Sequence, residues 1–305
     1  MLSVLIPVYQ YDVTDLVSSL INQLAAHDIV YEILVFDDCS VPAFKATNSG
    51  LKNVMHVKYV ELEQNIGRSK IRNLLASTAR FENLLFLDCD VSLPETNFIE
   101  RYLNFSAKSY VTVGGICYRS QKPTYAPKVL RWKYGHQRET QIASQRNKQP
   151  YSSFKTANFF ITRTNFLRVK FSEEIHGYGH EDTLFGYELE QVNIPIFHID
   201  NPVYHDGLED ASVFISKSEE AVKNLYMLFQ SGLLANTWKQ NPLLRFFVAF
   251  RTFRIHYLLA IVYLLFGALI RISMQGRFPF VFLFNTYKLL YISYISVFCK
   301  KAIKE

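Results

Sequence analysis

The chain has 305 residues, with 33 Lys and Arg against 27 Asp and Glu for a formal net charge of +6. Hydrophobic residues make up 49% of it, aromatics 15% and charged residues only 20%, a composition that excludes intrinsic disorder and suits one large domain or two modest ones. The four cysteines (Cys39, Cys89, Cys117, Cys299) show neither a CxxC pair nor zinc spacing, which argues against a disulfide framework and a cysteine zinc site.

The first element is an apolar run from Ser3 to Tyr9 (SVLIPVY). It lacks a basic n-region and a cleavage site, so it reads as a buried strand rather than a signal. Similar runs recur at Tyr31–Phe36 (YEILVF), Val54–Val60 and Leu84–Leu87. Helical spacing fills the gap after the first run and the stretch Ile66–Arg80, where Ile71, Leu74, Leu75 and Thr78 share a face. Strands alternating with helices predict a doubly wound parallel α/β sheet, which binds ligands at the carboxyl ends of its strands. Neither GxGxxG nor GxxxxGK[ST] occurs, which disfavours dinucleotide and P-loop chemistry. Residues 119–150 read as a long polar loop with one short helix. Helical spacing resumes near Leu208 with Val222, Leu225, Leu228 and Phe229, and from Pro242 the chain is mostly apolar. No internal repeat is visible.

The small net charge hides three local ones. Residues 119–150 hold eight Lys or Arg and one Glu, and residues 241–305 hold nine and one. The rest is acidic, with 16 basic residues against 25. Such asymmetry points to an anionic partner: nucleic acid, a phosphate group or a lipid surface.

Carboxylates follow two strands. Asp37 and Asp38 end one (ILVFDDCS), and Asp88 and Asp90 end another (LLFLDCD). Residues i and i+2 of an extended chain project to one side, about 6.6 Å apart. That spacing suits one group on a divalent ion, Mg²⁺ or Mn²⁺, and its neighbour on a sugar hydroxyl. A strand-end acid capping the next helix would explain one pair, but two pairs at one edge favour function. Downstream, Gly177 and Gly179 imply a tight, ligand-approaching loop, and Glu181 and Asp182 would open a helix whose dipole favours ionised carboxylates. An oriented carboxylate of this kind suits a general base. His176 and His180 stand at i, i+4, but the glycines and the missing HExxH order argue against zinc. A lone His205 after Asn201-Pro-Val-Tyr204 is more often structural than a ligand.

In order and spacing, SVLIPVYQ, FDDCS, NIGRSKIRN (Asn65–Asn73), LDCD, TANFFITR from Thr156, GYGHEDTLFGYEL and NPVYH resemble a family 2 glycosyltransferase of the GT-A fold, over roughly residues 1–210. The resemblance implies a nucleotide-sugar donor, a divalent ion and inversion at the anomeric carbon. It assigns Pro7, Tyr9, Asp37 and Asp38 to the nucleobase and ribose, and Arg72 to the base and diphosphate. Asp88 would face the ribose, and Asp90 with His205 the metal. Asp182 would be the catalytic base and Glu181 an acceptor-orienting neighbour. Arg68 and Lys70 depart from the small residues common at their positions, as phosphate contacts or as surface charge. The QxxRW signature of processive synthases is missing after residue 182, which favours a single transfer.

The tail carries 16 uncharged residues between Arg254 and Arg271 and 22 from Arg277 to Cys299, interrupted by Lys288. The first segment reaches about 24 Å as a helix, short of a hydrocarbon core of ~30 Å. A two-span hairpin would put Arg271 and Arg277 across the membrane from the body, against the positive-inside tendency. Leu243, Phe246, Phe250 and Phe253 cluster on one arc with Arg245, Arg251 and Arg254 on the other, an interfacial pattern. The bases are interleaved with runs too apolar for a nucleic-acid groove.

The expectation is a GT-A catalytic domain over residues 1–235 and a basic, helical, membrane-associating region over 236–305. The implied activity is transfer from a nucleotide sugar, with uridine donors the commoner implication, to a hydroxyl of a lipid-linked or growing glycan, as in polysaccharide biosynthesis. The expected place is the cytoplasmic face of the membrane, peripheral or re-entrant. Alternatives are transfer to a polyprenyl phosphate and a non-catalytic nucleotide-sugar-binding scaffold. The basic segment 119–150 would close over phosphate through Arg131, Lys133 and Arg138.

Overall fold

The computed structural model describes residues 1–105, 110–175, 177–234 and 238–299. In chain order the first elements are β1 (Leu2–Val8), α1 (Thr14–Leu24), β2 (Tyr31–Asp37), α2 (Pro42–Asn48), β3 (Val57–Glu61), α3 (Arg68–Thr78), β4 (Asn83–Leu87) and β5 (Val91–Ser92). Next come α4 (Phe98–Leu103), β6 (Val111–Val113), β7 (Ile116–Cys117), α5 (Val129–Tyr134), α6 (Ala143–Arg146), β8 (Asn158–Thr162) and α7 (Arg163–Val169). The chain continues through α8 (Glu181–Gln191), β9 (Ile196–His198), β10 (Val203–His205) and α9 (Ala211–Gln230). It closes with α10 (Pro242–Thr252), α11 (His256–Ser273) and α12 (Val281–Phe298).

The described chain divides into two compact units. One comprises Met1–Arg119, Glu139–Ile175 and Glu181–Gly207; the other comprises Ser120–Arg138, the short stretch 177–180 and the chain from Leu208 onward. This division differs from the boundary at 235/236 drawn from composition. It gives α9 to the second unit, because Phe214 and Ile215 of α9 share a core with Phe284 and Tyr287 of α12. It also cuts the basic segment 119–150 in two, and that segment holds α5 and α6 rather than one short helix.

The first unit is built on a seven-stranded sheet of order β3-β2-β1-β4-β8-β6-β9. β1 is parallel to β2 (Leu2 opposite Tyr31 through Val8 opposite Asp37) and to β4 (Leu2 opposite Asn83). β8 then runs antiparallel to β4, with Leu85 opposite Phe160, so the sheet is mixed. The parallel part is apolar on both faces, as a sheet covered on both sides must be. Val4, Ile6 and Val8 of β1 join Leu16, Val17 and Leu20 of α1 and Tyr102 of α4 on one side. Leu5 turns to the other, with Ile71 and Leu75 of α3. That second face carries an aromatic cluster in which Phe86 stacks on Phe159 at 4.6 Å and Phe171 on Phe185 at 4.2 Å. Phe185 belongs to α8, so this cluster anchors the helix that Glu181 and Asp182 begin.

A separate small sheet of order β5-β10-β7 sits beyond the end of β4. β10 pairs antiparallel with β5, His205 opposite Val91, and parallel with β7, Val203 opposite Ile116.

The second unit is helical. Leu130 of α5, Ala211, Phe214 and Ile215 of α9, Met274 and α12's Phe284 and Tyr287 form its core. Asn241 caps α10, its side chain accepting from the Leu243 and Leu244 amides, and Pro242 takes the first position where its missing N–H costs nothing. α11 and α12 are each long and apolar enough to cross a membrane by length and composition. They differ in burial: α12 is half packed inside the unit, whereas α11 leaves Leu258, Ile261, Leu264, Leu265, Leu269 and Ile272 exposed.

Candidate active site

The carboxyl ends of β1, β2 and β4 lie side by side, and the turns that follow them carry the motif residues. Gln10 and Cys39 adopt positive φ (56° and 63°), a conformation non-glycine residues seldom take. The Gln10 amide donates to Ser40 Oγ at 2.8 Å, which ties the two turns together. Pro7 is half-buried at the end of β1, and Tyr9 stands 53% exposed, an aromatic face presented beside the strand ends.

Asp37 and Asp38 are turned inward. Asp37 Oδ1 accepts from the Ser40 amide at 2.6 Å, and Oδ2 from Tyr59 Oη at 3.4 Å. Asp38 accepts from the amides of Ile66 and Gly67 at 2.7 and 2.9 Å. Gly67, at φ +86°, is the residue before α3, so Asp38 ties the turn that leads into that helix to the end of β2. It does not cap the next helix in the chain, α2, which starts without a side-chain cap. Burial raises its carboxyl above the usual range, and the two amide hydrogen bonds oppose that rise.

Asp88 sits just past β4, its amide bonded to the Ala157 carbonyl at 3.1 Å. Arg72 on the buried face of α3 donates to Asp88 Oδ1, and a second Arg72 N–H reaches the Arg68 carbonyl at 3.0 Å. Arg68 approaches the other oxygen of Asp88 at 3.9 Å and donates to Glu181 Oε1 at 2.6 Å. Burial would raise Asp88, but the guanidiniums of Arg72 and Arg68 win and hold it below the usual carboxylate range. Arg72 is thus buried on Asp88. Arg68, partly exposed, bridges a strand-end carboxylate to the first residue of α8.

The small sheet solves a problem of sequence distance. By pairing β10 with β5 it sets His205 Nε2 3.5 Å from Asp90 Oδ2, although 115 positions separate them. Tyr118 stacks on the His205 ring at 5.6 Å. The Asp206 and Gly207 amides both bond the Asp90 carbonyl. A Cβ at Gly207 would fall 2.2 Å from Asp90 Oδ2, so only glycine leaves room for that carboxylate. Tyr11 lies close by; burial pushes its phenol up to about 12, and Asp90 and Asp206 add to the rise. Asp206 is held away by Arg119, at 2.8 Å, and by Ser92. Among the described residues no three His, Cys, Asp or Glu side chains cluster as a complete metal cage. A carboxylate and an imidazole converging on one point fit a divalent ion whose other positions go to substrate oxygens and water.

Glu181 is buried on Arg68, and Asp182 is more open. Asp182 Oδ2 accepts from Lys155 at 2.6 Å and Oδ1 from the Thr183 amide at 2.7 Å. The glycine loop before them packs on α9: a Cβ at Gly177 would meet Glu220 at 1.8 Å and one at Gly179 would meet Ala221 at 2.6 Å. Asn224 donates to the Tyr178 carbonyl at 3.1 Å, fixing that loop within the second unit. The glycines therefore allow the loop to pack closely on α9. His176, half of the pair weighed for zinc, lies outside the described residues.

Of the three residues expected to clamp phosphate, two are engaged elsewhere and Arg138 is exposed. Arg131 is buried with its guanidinium over the Phe214 ring at 5.0 Å, and Lys133 donates to the Pro279 carbonyl at 3.1 Å. Arg146, in the first unit, is buried and donates to the carbonyls of Val113, Gly114 and Ile199. Burial lowers its own charge affinity, so it acts as a structural bolt between β6 and β9. Residues missed from sequence are Tyr11, Arg68 as a bridge, Lys155, Arg119 with Asp206, and Gly207. Gly207 had a signal, since NPVYH is followed directly by Asp and Gly; the others are joined across long stretches of chain.

A mixed sheet that gathers aspartates at its strand ends, with a small second sheet delivering a histidine beside one of them, defines a GT-A-like glycosyltransferase fold. The family model for glycosyl transferase family 2 matches residues 3–174, and the chain belongs to that family. Among solved structures it is similar to a mannosyltransferase from Pyrobaculum calidifontis in complex with GDP-Man and Mn²⁺, at 13% identity and TM-score 0.57, covering 98% of this chain and 88% of that one. It is also similar to S. aureus TarS 1-349 in complex with UDP, at 17% identity and TM-score 0.50, covering 100% and 92%. A comparison with curated proteins finds no match.

Proposed function

We propose that this chain is an inverting, metal-dependent glycosyltransferase that moves one sugar from a nucleoside-diphosphate sugar to a hydroxyl of a lipid-linked or growing glycan. The observation that carries the reading is the convergence of Asp90 and His205 beside Asp88, with Asp88 linked through Arg68 to the helix that Asp182 opens. The similar structures that hold UDP, or GDP-Man with Mn²⁺, support such a donor and such an ion; a uridine donor remains the preferred reading of the motifs.

Tyr9 and Pro7 form the nucleoside side, on turns that Asp37 and Asp38 hold in shape. Arg72 keeps Asp88 ionised and oriented toward the ribose. Asp90 and His205 would hold Mn²⁺ or Mg²⁺, which supplies charge neutralisation to the departing diphosphate when bound. Asp182, oriented by Lys155 and the Thr183 amide, takes the proton of the acceptor hydroxyl. The new bond joins the acceptor oxygen to the anomeric carbon as the bond to the diphosphate breaks, and attack from the opposite face inverts configuration. Glu181, fixed by Arg68, orients the acceptor beside the base. The exposed apolar face of α11 and the carboxylate-free chain around it support attachment to a membrane; we place that attachment at the cytoplasmic face.

The test is Asp182→Asn, assayed for transfer from labelled UDP- and GDP-sugars to membrane extract and for nucleotide binding with Mn²⁺. Transfer is expected to fall by about 10²–10⁴, roughly 3–5 kcal/mol, while nucleotide binding persists. Undiminished turnover would overturn the assignment of the base.

A further inference from the structure

The second unit contains a cleft that the proposed reaction leaves unused. It has a volume of about 380 Å³ and is lined by Tyr226 of α9, Arg251 of α10, Arg254, His256 and Tyr257 at the start of α11, and Ser296 of α12. That volume exceeds what a bare phosphate fills and matches a small-molecule site. The turn that makes it is unusual: Arg254 takes φ +61°, and its amide reaches back to the Arg251 carbonyl at 3.0 Å. A long cationic side chain held in left-handed geometry is a local cost that surrounding structure has to sustain.

The charges in the cleft lack an internal counterpart. Residues 238–299 contain no Asp or Glu at all. Among the described residues neither Arg251 nor Arg254 makes a side-chain ion pair or hydrogen bond. Other arginines of the chain are held: Arg72 by Asp88, Arg80 by Glu32, Arg119 by Asp206 and Arg271 by Glu219. Tyr226 is buried at the cleft and accepts from Gln230 at 2.5 Å, which leaves its own O–H to donate. Two guanidiniums and a phenol make a donor set for an anion with several oxygens.

The rim identifies what the anion is attached to. Phe253, beside Arg254, is 76% exposed, and Leu258, one turn into α11, is 61% exposed. They begin the unpartnered apolar face that continues along α11 through Ile261, Leu265 and Leu269. An anion bound at the cleft with an apolar chain running over this face would satisfy both halves.

We infer that this cleft binds the phosphate of a lipid headgroup, with Arg251 and Arg254 as its clasp and the exposed face of α11 against the acyl region. This deepens the membrane-attachment part of the proposed function and rests on it. It turns a diffuse attraction of basic residues to an anionic surface into a stereospecific contact.

The experiment titrates the full-length protein with dihexanoyl phosphatidic acid below its micellar concentration, followed by ³¹P NMR, beside co-sedimentation with vesicles of phosphatidylcholine alone or mixed with phosphatidic acid. Two variants of equal charge are compared, R251Q/R254Q at the cleft and R245Q/R277Q away from it. The cleft pair is expected to weaken binding of the short-chain lipid at least about tenfold, and the control pair about twofold at most. Equal weakening in both, or none at the cleft, overturns the site and leaves generic surface charge. Inorganic phosphate binding as tightly as the short-chain lipid overturns the lipid assignment. Loss of vesicle binding for every composition while the short-chain lipid still binds refutes membrane attachment but supports the cleft. Vesicle binding indifferent to phosphatidic acid and to R251Q/R254Q does the reverse.

Discussion

The strand-end region and the C-terminal helices both carry arginines, and they use them in opposite ways. At the strand ends cations are consumed internally: Arg72 lies on Asp88, Arg68 joins Asp88 to Glu181, Lys155 holds Asp182 and Arg119 holds Asp206. Among the described arginines of the C-terminal helices only Arg271 has a carboxylate, Glu219, and that acid comes from α9. An arginine with a buried partner fixes geometry and lends little long-range charge. An arginine without one is available to whatever binds. The net +6 is therefore a poor guide to either region, because the acidic body is largely self-neutralised where it matters and the basic tail is not.

The largest expected effect comes from the buried end of this contrast. Arg72→Met would take the nearest cation from Asp88 and leave the more distant, partly exposed Arg68, with His205, to answer its charge. Removing one partner of a buried pair typically costs 3–5 kcal/mol, so a loss of about 3 kcal/mol in urea unfolding at neutral pH is expected. The pH sign is fixed by the direction of the shift. Asp88 is held below its unfolded value, so its contribution is complete above an ordinary carboxylate pKa of ~4 and disappears as pH falls through the lower folded value. The gap between wild type and R72M is thus expected to narrow on acidification below about pH 4. A gap that widens there would break the assignment of the pair.

Much of the first unit was legible because its signals are local. Strand runs at Ser3–Tyr9, Tyr31–Phe36 and Leu84–Leu87 appear as β1, β2 and β4 within a residue or two, since strands buried on both faces read as unbroken apolar runs. The run at Val54–Val60 begins late, as β3 at Val57, because a 3₁₀ turn takes Ser49–Asn53 and the chain needs Val54 to His56 to re-enter the sheet. The aspartates were visible as residues, but not the divergence of their roles. Whether a strand-end acid faces a ligand or an amide depends on partners such as Ile66, Gly67 and Arg72, 16 to 29 positions away. Arg68 with Glu181 and Asp90 with His205 are joined across more than 100 residues, and no local pattern encodes that. The segment 119–150 misled for the same reason. Its basic residues read as a polar loop reaching for phosphate, whereas Arg131 and Arg146 are buried, one against an aromatic ring and one on backbone carbonyls.

Arg271 is the intermediate case. It donates twice to Glu219, at 2.8 and 2.9 Å, and once to Ser216 Oγ at 2.7 Å, but it is about a third exposed. Solvent screens such a pair, and Arg271→Met is expected to cost about 1 kcal/mol, read as a small fall in thermal midpoint. A loss as large as that of Arg72→Met would mean that the tail pair is as enclosed as the strand-end one, and the contrast between the regions would dissolve.

The smallest effect belongs to Arg251, and its smallness is the informative part. An exposed arginine with no carboxylate partner among the described residues contributes nothing through ion pairing, and Arg254, which lines the same cleft, repels it weakly. Arg251→Gln is therefore expected to change stability by less than about 0.5 kcal/mol. At low salt the change should lean toward stabilisation, because a like charge has been removed, and added salt should erase it. The same substitution reduces lipid phosphate binding if the cleft is a site, so stability and binding separate in one variant. A loss of 1 kcal/mol or more would show that Arg251 already has an anionic partner inside the fold. The cleft would then be closed by the protein itself, and its charge would belong with the internal arginines of the strand ends.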